Sequence, residues 1–271
     1  MASRRRLDVE LLRRGLVSSR EQAQQAIAEG RVLVDGAPAS KAARQVAPAQ
    51  AVVVQAPDDP WASRGAGKLV AALANFAVDP RGKRCLDAGA STGGFTDVLL
   101  QRGAAHVTAV DVGYGQLVDR LRSDARVHVL ERTNIRHLEP TELPGGAVAI
   151  VVADLSFISL RTVLPAITGL ALPMADAILL VKPQFEVGKT HVGRGGVVRE
   201  PGLWTTAITG VVDRARELGW QLRGVIASPV RGPAGNVEFP AWFQRPSTAQ
   251  DGDAEQVIAA AVADGAQVRD A

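Results

Sequence analysis

The sequence predicts an α/β fold, with a mostly parallel sheet covered by helices on both faces, preceded by a small α+β unit. Three observations predict this architecture. From Cys85 onward, short runs that are apolar at nearly every position alternate with helical patterns, as expected for parallel strands buried between two helix layers. A glycine-rich turn follows the first of these runs. A separate group of helix and strand signals precedes a segment rich in Pro and Gly.

The whole chain has the composition of a globular protein kept in a reducing environment. Its 271 residues are 46% apolar, which is enough for one large domain and a small one. The single cysteine, Cys85, excludes an internal disulfide framework, and four scattered histidines match no zinc pattern, so we expect no metal. No apolar run reaches the roughly 18 residues of a membrane span. We therefore expect a cytoplasmic monomer without a membrane partner.

Residues 1–57 carry the signals of the small α+β unit. Leucines at helical spacing from Leu7 predict a helix that stops at Gly15. Ser18 or Ser19 can cap a second helix, which Gly30 ends. The stretches "RVLVDG" and "AVVVQA" indicate strands, the first entering an Asp-Gly turn. Nine Lys/Arg against five Asp/Glu is a charge excess typical of polyanion binding, and also of an ordinary solvated surface.

The remaining boundaries follow from composition. The stretch "APDDPWASRGAGK" is typical of a linker, and we assign residues 58–65 to it and residues 66–246 to the larger domain. Beyond that point, "PSTAQDGDAEQ" is followed by a short Ala/Val helix pattern. We expect residues 247–271 to form a peripheral or frayed tail.

The segment "CLDAGASTGGFTDVLL" carries the strongest sign of a cofactor site. A strand ends at Asp87, a glycine-rich turn follows, and a helix begins at Phe95. Glycines let the backbone approach a ligand closely, and parallel sheets bind cofactors at the carboxyl ends of their strands. The next strand ends at Asp111, close to the offset of about 20 residues at which an acid meets ribose hydroxyls. We therefore expect a nucleoside-containing cofactor.

The glycine spacing narrows the choice of cofactor. Dinucleotide sites space their glycines G-x-G-x-x-G, whereas this loop has Asp-x-Gly-x-x-x-Gly-Gly, with an acid before the first glycine. That carboxylate would repel a pyrophosphate, which disfavours a nicotinamide oxidoreductase. S-adenosylmethionine has a cationic sulfonium and an ammonium group, which suit an acidic loop. The alternative is that Asp87 and the glycines only form a tight turn between strand and helix.

Four charged residues stand where apolar or turn residues are expected. Lys68 opens a helical pattern, and Glu238 lies in "GNVEFPAWF". Asp154 and Lys182 each end an apolar strand, so a doubly wound sheet would place them at the edge that carries the cofactor loop. Such a group suits methyl transfer to a ribose 2′-hydroxyl, with a lysine amine as the base. Taken singly, each residue has an ordinary interpretation, such as a solvated lysine or a helix-capping aspartate.

Six motifs together resemble one enzyme family. "DAGASTGGFT", "DVGYGQL", "ERTN", "ADLSFISL", "VKPQFE" and "SPVRGPAGNVE" are similar to those of the TlyA-type ribosomal RNA 2′-O-methyltransferases, historically labelled hemolysin A, and of the wider FtsJ-like methyltransferases. The N-terminal "RLDxxLxxxGLxxSRxxAxxxIxxGxVxVDG" pattern resembles the RNA-binding domain named after the fourth protein of the small ribosomal subunit. The likeness extends from Arg6 to Glu238.

The resemblance implies a Rossmann-like class I S-adenosylmethionine-dependent methyltransferase with a seven-stranded, mostly parallel sheet. It implies a catalytic tetrad of Lys68, Asp154, Lys182 and Glu238, with Lys182 as the base. The implied substrate is a cytidine ribose in ribosomal RNA of one or both subunits, a modification linked in this family to sensitivity to cyclic peptide antibiotics. The implied cofactor-binding residues are Asp87, Gly89, Ala90, Ser91, Thr92, Gly93, Gly94, Phe95, Asp111, Val112, Asn134 and Asp154. The implied RNA-binding residues are Arg6, Arg14, Arg20 and Lys41.

Two other functions and one local irregularity remain to be weighed. The hemolysin label suggests a membrane-lytic protein, which the lack of a long apolar run disfavours. An RNA-binding protein with an inactive transferase domain would have lost a loop glycine or a tetrad residue, and this sequence retains them all.

Pro240 lacks a backbone donor, so we expect its strand to be at a sheet edge, bulged or short.

Overall fold

The chain divides between Trp61 and Ala62 into two structural units. The computed structural model describes residues 4–17, 19–55, 61–245 and 253–270. The predicted boundary after residue 57 lies outside the described residues, and the assignment of residues 58–65 to a linker stays a prediction.

Two small antiparallel sheets and two helices build the N-terminal unit. Strand β2 lies between β3 and β5, and β1 pairs with β4. Asp35 and Gly36 have positive φ angles of 52° and 80° and join β2 to β3, as the Asp-Gly pair predicts. The elements, in chain order, are β1 (Arg5–Arg6), α1 (Leu7–Arg13), α2 (Arg20–Ala28), β2 (Val32–Val34), β3 (Ala37–Pro38), β4 (Gln45–Val46) and β5 (Val52–Val54).

The two helices of this unit begin and end where the sequence predicts. Gly15 and Gly30 adopt left-handed φ angles of 68° and 70° just beyond α1 and α2. The Ser19 hydroxyl accepts a hydrogen bond of 3.1 Å from the Gln22 amide and caps α2. The alternative cap, Ser18, lies outside the described residues. Apolar side chains of α1, α2, β2, β4 and β5 form the core of the unit.

Two buried carboxylates on α1 anchor arginines of the N-terminal unit. Asp8 is 0% exposed and accepts bonds of 3.0 Å from both Arg6 Nε and Arg20 Nε. The hydrogen bonds from Arg6, supported by Arg20, hold the pKa of the Asp8 carboxyl well below its usual range although burial opposes this. A buried carboxylate surrounded by guanidinium groups stabilises the folded unit only while it is ionised.

Glu10 is the second buried carboxylate, 1% exposed. Arg13 donates to both of its oxygens at 2.7 and 2.8 Å, and Arg14 Nε donates at 2.7 Å. These bonds, with that of Arg13 the strongest, lower the pKa of Glu10 to about 2 against the opposing effect of burial. Arg14 also donates to the carbonyls of Pro48 and Gln50, and so ties α1 to the segment before β5.

The larger unit is a seven-stranded sheet with helices packed against it. Its elements, in chain order, are α3 (Ala66–Phe76), β6 (Arg84–Ala88), α4 (Gly94–Gln101), β7 (His106–Val110), α5 (Asp119–Arg122), β8 (Val127–Leu130), β9 (Val148–Ala153), α6 (Leu160–Leu170), β10 (Ala171–Val181), α7 (Pro183–Glu186), α8 (Pro201–Glu217), β11 (Gln221–Val225), β12 (Phe239–Gln244) and α9 (Ala254–Asp270). Short 3-10 turns occur at Ile135–His137, Pro140–Glu142 and Lys189–His191.

The strand order is β11-β12-β10-β9-β6-β7-β8. Of the seven strands only β12 runs opposite to the other six, so the prediction of a mostly parallel sheet is confirmed. The chain leaves β6 toward β7 on one side and later returns to place β9 on the other side. Ligands bind at such a switch point, at the carboxyl ends of the strands. Asp87 and the glycine loop lie at the end of β6, which is that position.

The strand that contains Pro240 is not at an edge, so that expectation is wrong. Strand β12 has six residues and pairs with β10 along its whole length. The bulge lies instead in β11, between Leu222 and Gly224. The Pro240 carbonyl accepts from the Ile226 amide at 3.1 Å. In an antiparallel pair, the N–H and C=O groups of one residue point toward the same neighbouring strand. The donor that Pro240 lacks would therefore point toward Ile226, which lies just beyond the end of β11.

The described part of the C-terminal segment, residues 253–270, is not a peripheral tail. Its 17-residue helix α9 places Ile258, Ala261 and Val262 in the core of the larger unit, with exposures of 4%, 2% and 8%. At Gly265 a Cβ atom would lie 3.0 Å from the Phe239 ring, so glycine permits close packing there. Local composition predicted fraying, but tertiary packing determines the outcome. No helix among the described residues is long and apolar enough to cross a membrane.

Lowering the pH from 6 to 2 is expected to unfold the N-terminal unit. Glu10 has its pKa lowered to about 2 from 4.5, so its stabilisation is present above the ordinary value and is lost as the pH falls toward the folded one. Amide NMR signals of residues 7–54 would report the transition. Glu10→Gln should lower the stability of the unit at pH 6 and make its pH dependence shallower. An identical pH profile in wild type and variant would contradict this role.

Candidate active site

The four residues of the predicted tetrad lie together as a chain of alternating charges. Glu238 Oε2 accepts from Lys68 Nζ at 2.6 Å, and the same nitrogen lies 3.4 Å from Asp154 Oδ2. The other oxygen of Asp154, Oδ1, lies 2.5 Å from Lys182 Nζ. Each lysine therefore has a carboxylate partner, and Asp154 lies between the two lysine nitrogens. The juxtaposition predicted from the sequence is present in the structure.

Four different elements deliver these side chains to one edge of the sheet. Lys68 lies in the first turn of α3, while Asp154 and Lys182 follow the last residues of the parallel strands β9 and β10. Glu238 comes immediately before β12. Because β12 is antiparallel to β10, its start lies at the same edge as the end of β10. The reversed strand is what brings the glutamate to the two lysines.

Lys68, Lys182 and Glu238 are buried, so each of their side chains needs a polar or charged partner within the protein. The exposed fraction is 6% for both Lys68 and Lys182 and 1% for Glu238. Burial lowers the pKa of Lys68, but the Asp154 and Glu238 carboxylates outweigh it and raise that pKa overall. Burial likewise favours a neutral Asp154, and the charges of Lys182 and Lys68 outweigh it and lower its pKa. Lys68 is therefore an ammonium and Asp154 a carboxylate near neutral pH.

Lys182 differs from Lys68 in its surroundings. Lys182 Nζ donates to the hydroxyl of Ser156 at 3.0 Å, and its carboxylate contact is with Asp154. Lys68 is clamped by two carboxylates, which disqualifies it as a proton acceptor. Ser156 was missed by the sequence reasoning, although it stands two residues after Asp154 in the quoted motif "ADLSFISL". A serine in a loop carries no signal by itself, and only the fold reveals its contact.

The glycine loop lies against the tetrad. Gly89 has a φ angle of 85°, and a Cβ there would lie 2.6 Å from the carbonyl oxygen of Asp154. Gly93 has a φ angle of 102° and would carry its Cβ into the side chains of Leu117 and Leu121. Both positions require glycine on two grounds, backbone conformation and space. Gly94 begins α4, so the predicted strand, turn and helix are confirmed.

Asp87 lies beneath this loop with one oxygen unpaired. Its side chain is fully buried, and Oδ2 accepts a 2.7 Å hydrogen bond from the Thr96 hydroxyl. Among the described residues, Oδ1 has no hydrogen-bond partner. Burial raises the pKa of the Asp87 carboxyl to about 7, although Thr96 opposes this. A buried carboxylate oxygen without a donor suits an ammonium group, so this part of the loop fits the amino-acid end of the expected cofactor.

Asp111 joins the glycine loop to the end of β7. Its Oδ2 accepts from the Ser91 amide at 2.8 Å, and its Oδ1 accepts from the Gly113 amide at 2.7 Å. Each carboxylate oxygen has a further lone pair, so both can still accept from ribose hydroxyls. The adjoining Val112 is 71% exposed, unusually high for an apolar residue, and so offers an apolar surface beside the carboxylate.

The other predicted cofactor residues divide between loop and core. Asn134 is partly exposed, and its side-chain oxygen accepts from the Arg136 amide at 3.1 Å. Ser91 and Thr92 lie at the accessible part of the loop, whereas Ala90 and Phe95 are buried, at 7% and 6% exposure. Phe95 therefore supports the loop from the interior.

The predicted RNA-binding residues share the surface of the N-terminal unit. Arg6 and Arg20 have side chains 43% and 52% exposed while they pair with Asp8. Lys41 is exposed. Arg14 is only 19% exposed and is occupied by Glu10 and backbone carbonyls. Three of the four cations are thus accessible, and their role in RNA binding stays a prediction.

Glu186 is a further buried acid that the sequence reasoning did not single out. It lies four residues after Lys182, and its carboxylate accepts from the Ser159 hydroxyl at 2.6 Å and from the Leu160 amide at 2.7 Å. These bonds join α7, which follows β10, to the start of α6 and fix the loop that carries Asp154 and Ser156. No group of three or more residues suited to hold a metal occurs within the described parts of the chain.

Lys68→Met is expected to destabilise the larger unit by about 3–5 kcal/mol, because it leaves the Glu238 carboxylate buried without its cation. Urea unfolding followed by tryptophan fluorescence would measure the loss. The double variant with Glu238→Met removes both charges and should recover most of the stability, since apolar residues of similar volume replace buried ion pairs at little cost. A double variant less stable than Lys68→Met alone would contradict the pairing.

Known families match both units. Residues 61–245 match the FtsJ-like methyltransferases, and residues 5–52 match the S4 domain. The 16S/23S rRNA (cytidine-2′-O)-methyltransferase TlyA of Mycobacterium tuberculosis is 59% identical over 245 residues, which are 90% of this chain and 91% of that protein. Hemolysin A of Brachyspira hyodysenteriae is 35% identical over 239 residues, which are 88% of this chain and 99% of that protein.

A solved structure from Streptococcus thermophilus agrees over nearly the whole length. It is 35% identical, covers 99% of this chain and 98% of its own, and superposes with a TM-score of 0.78. These matches confirm the resemblance drawn from the sequence motifs. The chain belongs to the FtsJ-like methyltransferases and carries an N-terminal S4 domain.

Proposed function

We propose that this protein transfers a methyl group from S-adenosylmethionine to the 2′-hydroxyl of a cytidine ribose in ribosomal RNA. The observation that carries the proposal is the buried chain Glu238–Lys68–Asp154–Lys182, which lies against the glycine loop at the switch point of the sheet. The relative from Mycobacterium tuberculosis, named for this reaction, supports the choice of substrate.

The cofactor supplies an activated methyl group bonded to a cationic sulfur. In our proposal Asp87 faces its ammonium, the glycine loop follows its length, and Asp111 accepts from its ribose hydroxyls. The unpaired oxygen of Asp87 and the close approach of Gly89 to Asp154 support this placement. Residues that hold both partners in line convert a bimolecular reaction into an oriented one.

Lys182 is the proposed general base. As a neutral amine, its Nζ accepts the proton of the ribose hydroxyl while that oxygen becomes a nucleophile. Asp154 and Ser156 hold the nitrogen in place through their contacts of 2.5 and 3.0 Å. Lys68 holds Asp154 in turn, and Glu238 holds Lys68. The intact tetrad argues against an inactive transferase domain that only binds RNA.

The S4 domain is the proposed RNA-docking unit. Arg6, Arg20 and Lys41 offer exposed cations for phosphate contacts, with Arg14 holding the fold that presents them. The proposed partner is ribosomal RNA within ribosomal subunits, met by a monomer in the cytoplasm. Loss of the modification would then change sensitivity to cyclic peptide antibiotics that act on the ribosome.

Lys182→Ala is expected to reduce methylation by about 100-fold or more, because general-base catalysis contributes roughly 10²–10⁴ in rate. Labelled S-adenosylmethionine and unmodified ribosomal subunits provide the assay, with ribose methylation mapped by nuclease resistance. Lys83→Ala, at the opposite edge of the sheet beside Asp176, is the matched control and should retain activity. Equal rates for Lys182→Ala and wild type would refute the base, and no incorporation by wild type would refute the substrate class.

The affinity for S-adenosylmethionine is expected to rise as the pH increases from 6 to 8. The pKa of Asp87 is about 7, so the carboxylate that attracts the ammonium forms within this range. Isothermal titration calorimetry at several pH values would measure the trend. Asp87→Asn keeps the shape of the side chain without the charge, and should give weaker binding that varies less with pH. A dependence as steep in the variant as in wild type would exclude Asp87 as the titrating group.

A further inference from the structure

The segment that follows α7 is an exposed basic loop, which we define as residues 187–199. Its sequence, "VGKTHVGRGGVVR", contains Lys189, Arg194 and Arg199 together with His191, and no Asp or Glu. These four side chains are exposed. Three permanent positive charges within 13 residues, against one adjoining exposed carboxylate at Glu200, make this a cationic surface of the larger unit.

The cations of the basic loop are not neutralised by the protein. Many arginines elsewhere pair with carboxylates, for example Arg120 with Asp97 and Arg126 with Asp124. Within the described parts of the chain, Lys189, Arg194 and Arg199 have no acidic group within 4.0 Å. Uncompensated, clustered charge produces a local positive potential that attracts polyanions.

The basic loop is fixed beside the tetrad at both of its ends. Its first residue follows α7, five residues after Lys182. Near its last residues, Asn236 accepts from the Val198 amide at 2.9 Å and donates to the Gly196 carbonyl at 2.9 Å. Asn236 is 2% exposed and precedes Glu238 by two residues. The loop is therefore rooted next to two members of the tetrad.

The middle of the basic loop permits close approach of a ligand. Gly195 and Gly196 both have φ angles of 79°, and nothing lies within 4 Å of a Cβ placed at either one. The Gly196 amide donates to the Gly193 carbonyl at 3.0 Å and closes a turn that presents Arg194. Glycine-rich backbone beside guanidinium and ammonium groups is well suited to phosphate oxygens.

We propose that the basic loop is an RNA-binding subsite of the larger unit, which grips the phosphates of the strand on one side of the target nucleotide. The inference rests on the proposed function, since that function places an RNA ribose at Lys182. RNA is favoured over an acidic protein because a strand whose ribose reaches the tetrad continues past the adjoining surface. The loop would thus hold the strand locally, separately from docking by the S4 domain.

The test uses the full-length protein with Lys189→Ala and Arg194→Ala combined. The expected result is a KM for ribosomal subunits raised about tenfold, with kcat within about twofold and cofactor affinity unchanged. The slope of log affinity for protein-free ribosomal RNA against log salt should become shallower by about 1.4, as expected for two lost contacts with a single strand.

The control, matched in net charge, removes two exposed cations at the opposite edge of the sheet, Arg81→Ala with Arg102→Ala, although Arg81, unlike the loop cations, pairs with Asp79. Arg81 lies beside Gly103, just beyond the last turn of α4, far along the helix from the glycine loop. An equal loss of affinity in this control would overturn the proposal, because it would indicate attraction by overall charge. Weaker binding to subunits with unchanged binding to protein-free RNA would also overturn it, in favour of an acidic protein surface.

The methylation and binding assays distinguish a wrong assignment of the basic loop from a wrong proposed function. If wild type methylates no ribosomal substrate, the proposed function fails, and with it the subsite. If wild type methylates subunits while the loop variant keeps the wild-type KM and salt slope, only the subsite is excluded. A fall in kcat at saturating subunits without a change in KM would also exclude it, since that result would indicate disturbed chemistry.

Discussion

Two lysines can stay buried side by side here only because the carboxylate of Asp154 lies between them. Removing an ammonium group from water costs several kcal/mol, and an adjacent ammonium adds repulsion. Asp154 offsets both effects with one oxygen toward each lysine. Glu238 then completes the balance for Lys68, which has the more crowded environment. The charges of the site depend on one another, so none can be exchanged without a change in the others.

This constraint accounts for features of the sheet that would otherwise be arbitrary. The carboxylate between the lysines must lie at the end of β9, next to the strand that delivers Lys182. The second carboxylate must come from the other side of β10, and an antiparallel strand supplies it by beginning where β10 ends. A parallel strand there would place its first residue at the far edge. The one reversed strand of the sheet is the one that the charge balance requires.

Local patterns in the sequence were sufficient for the strands, the glycine loop and the two charged residues at strand ends, Asp154 and Lys182, whereas the resemblance to a family joined Lys68 and Glu238 to them. These features depend on the periodicity of apolar residues and on charges at strand ends, which can be recognised in the sequence alone. Contacts between distant segments were not visible. The bond from Lys182 to Ser156, the grip of Glu186 on the start of α6 and the burial of α9 each join residues whose proximity is set by the fold. The expectation for Pro240 was wrong because the effect of its missing donor depends on where β11 ends, and β11 ends just before the residue that faces Pro240.

The close contact of Gly89 with the carbonyl of Asp154 has a consequence for how this enzyme can change. The loop proposed to receive the methyl donor and the residue proposed to hold the base meet with no room for one extra carbon atom. A substitution at Gly89 would displace the loop and Asp154 together, so the affinity for the donor and the position of the base cannot change independently of each other. If the proposed donor site is correct, engineering for a bulkier methyl donor analogue would have to enlarge the site elsewhere, toward the exposed surface at Val112.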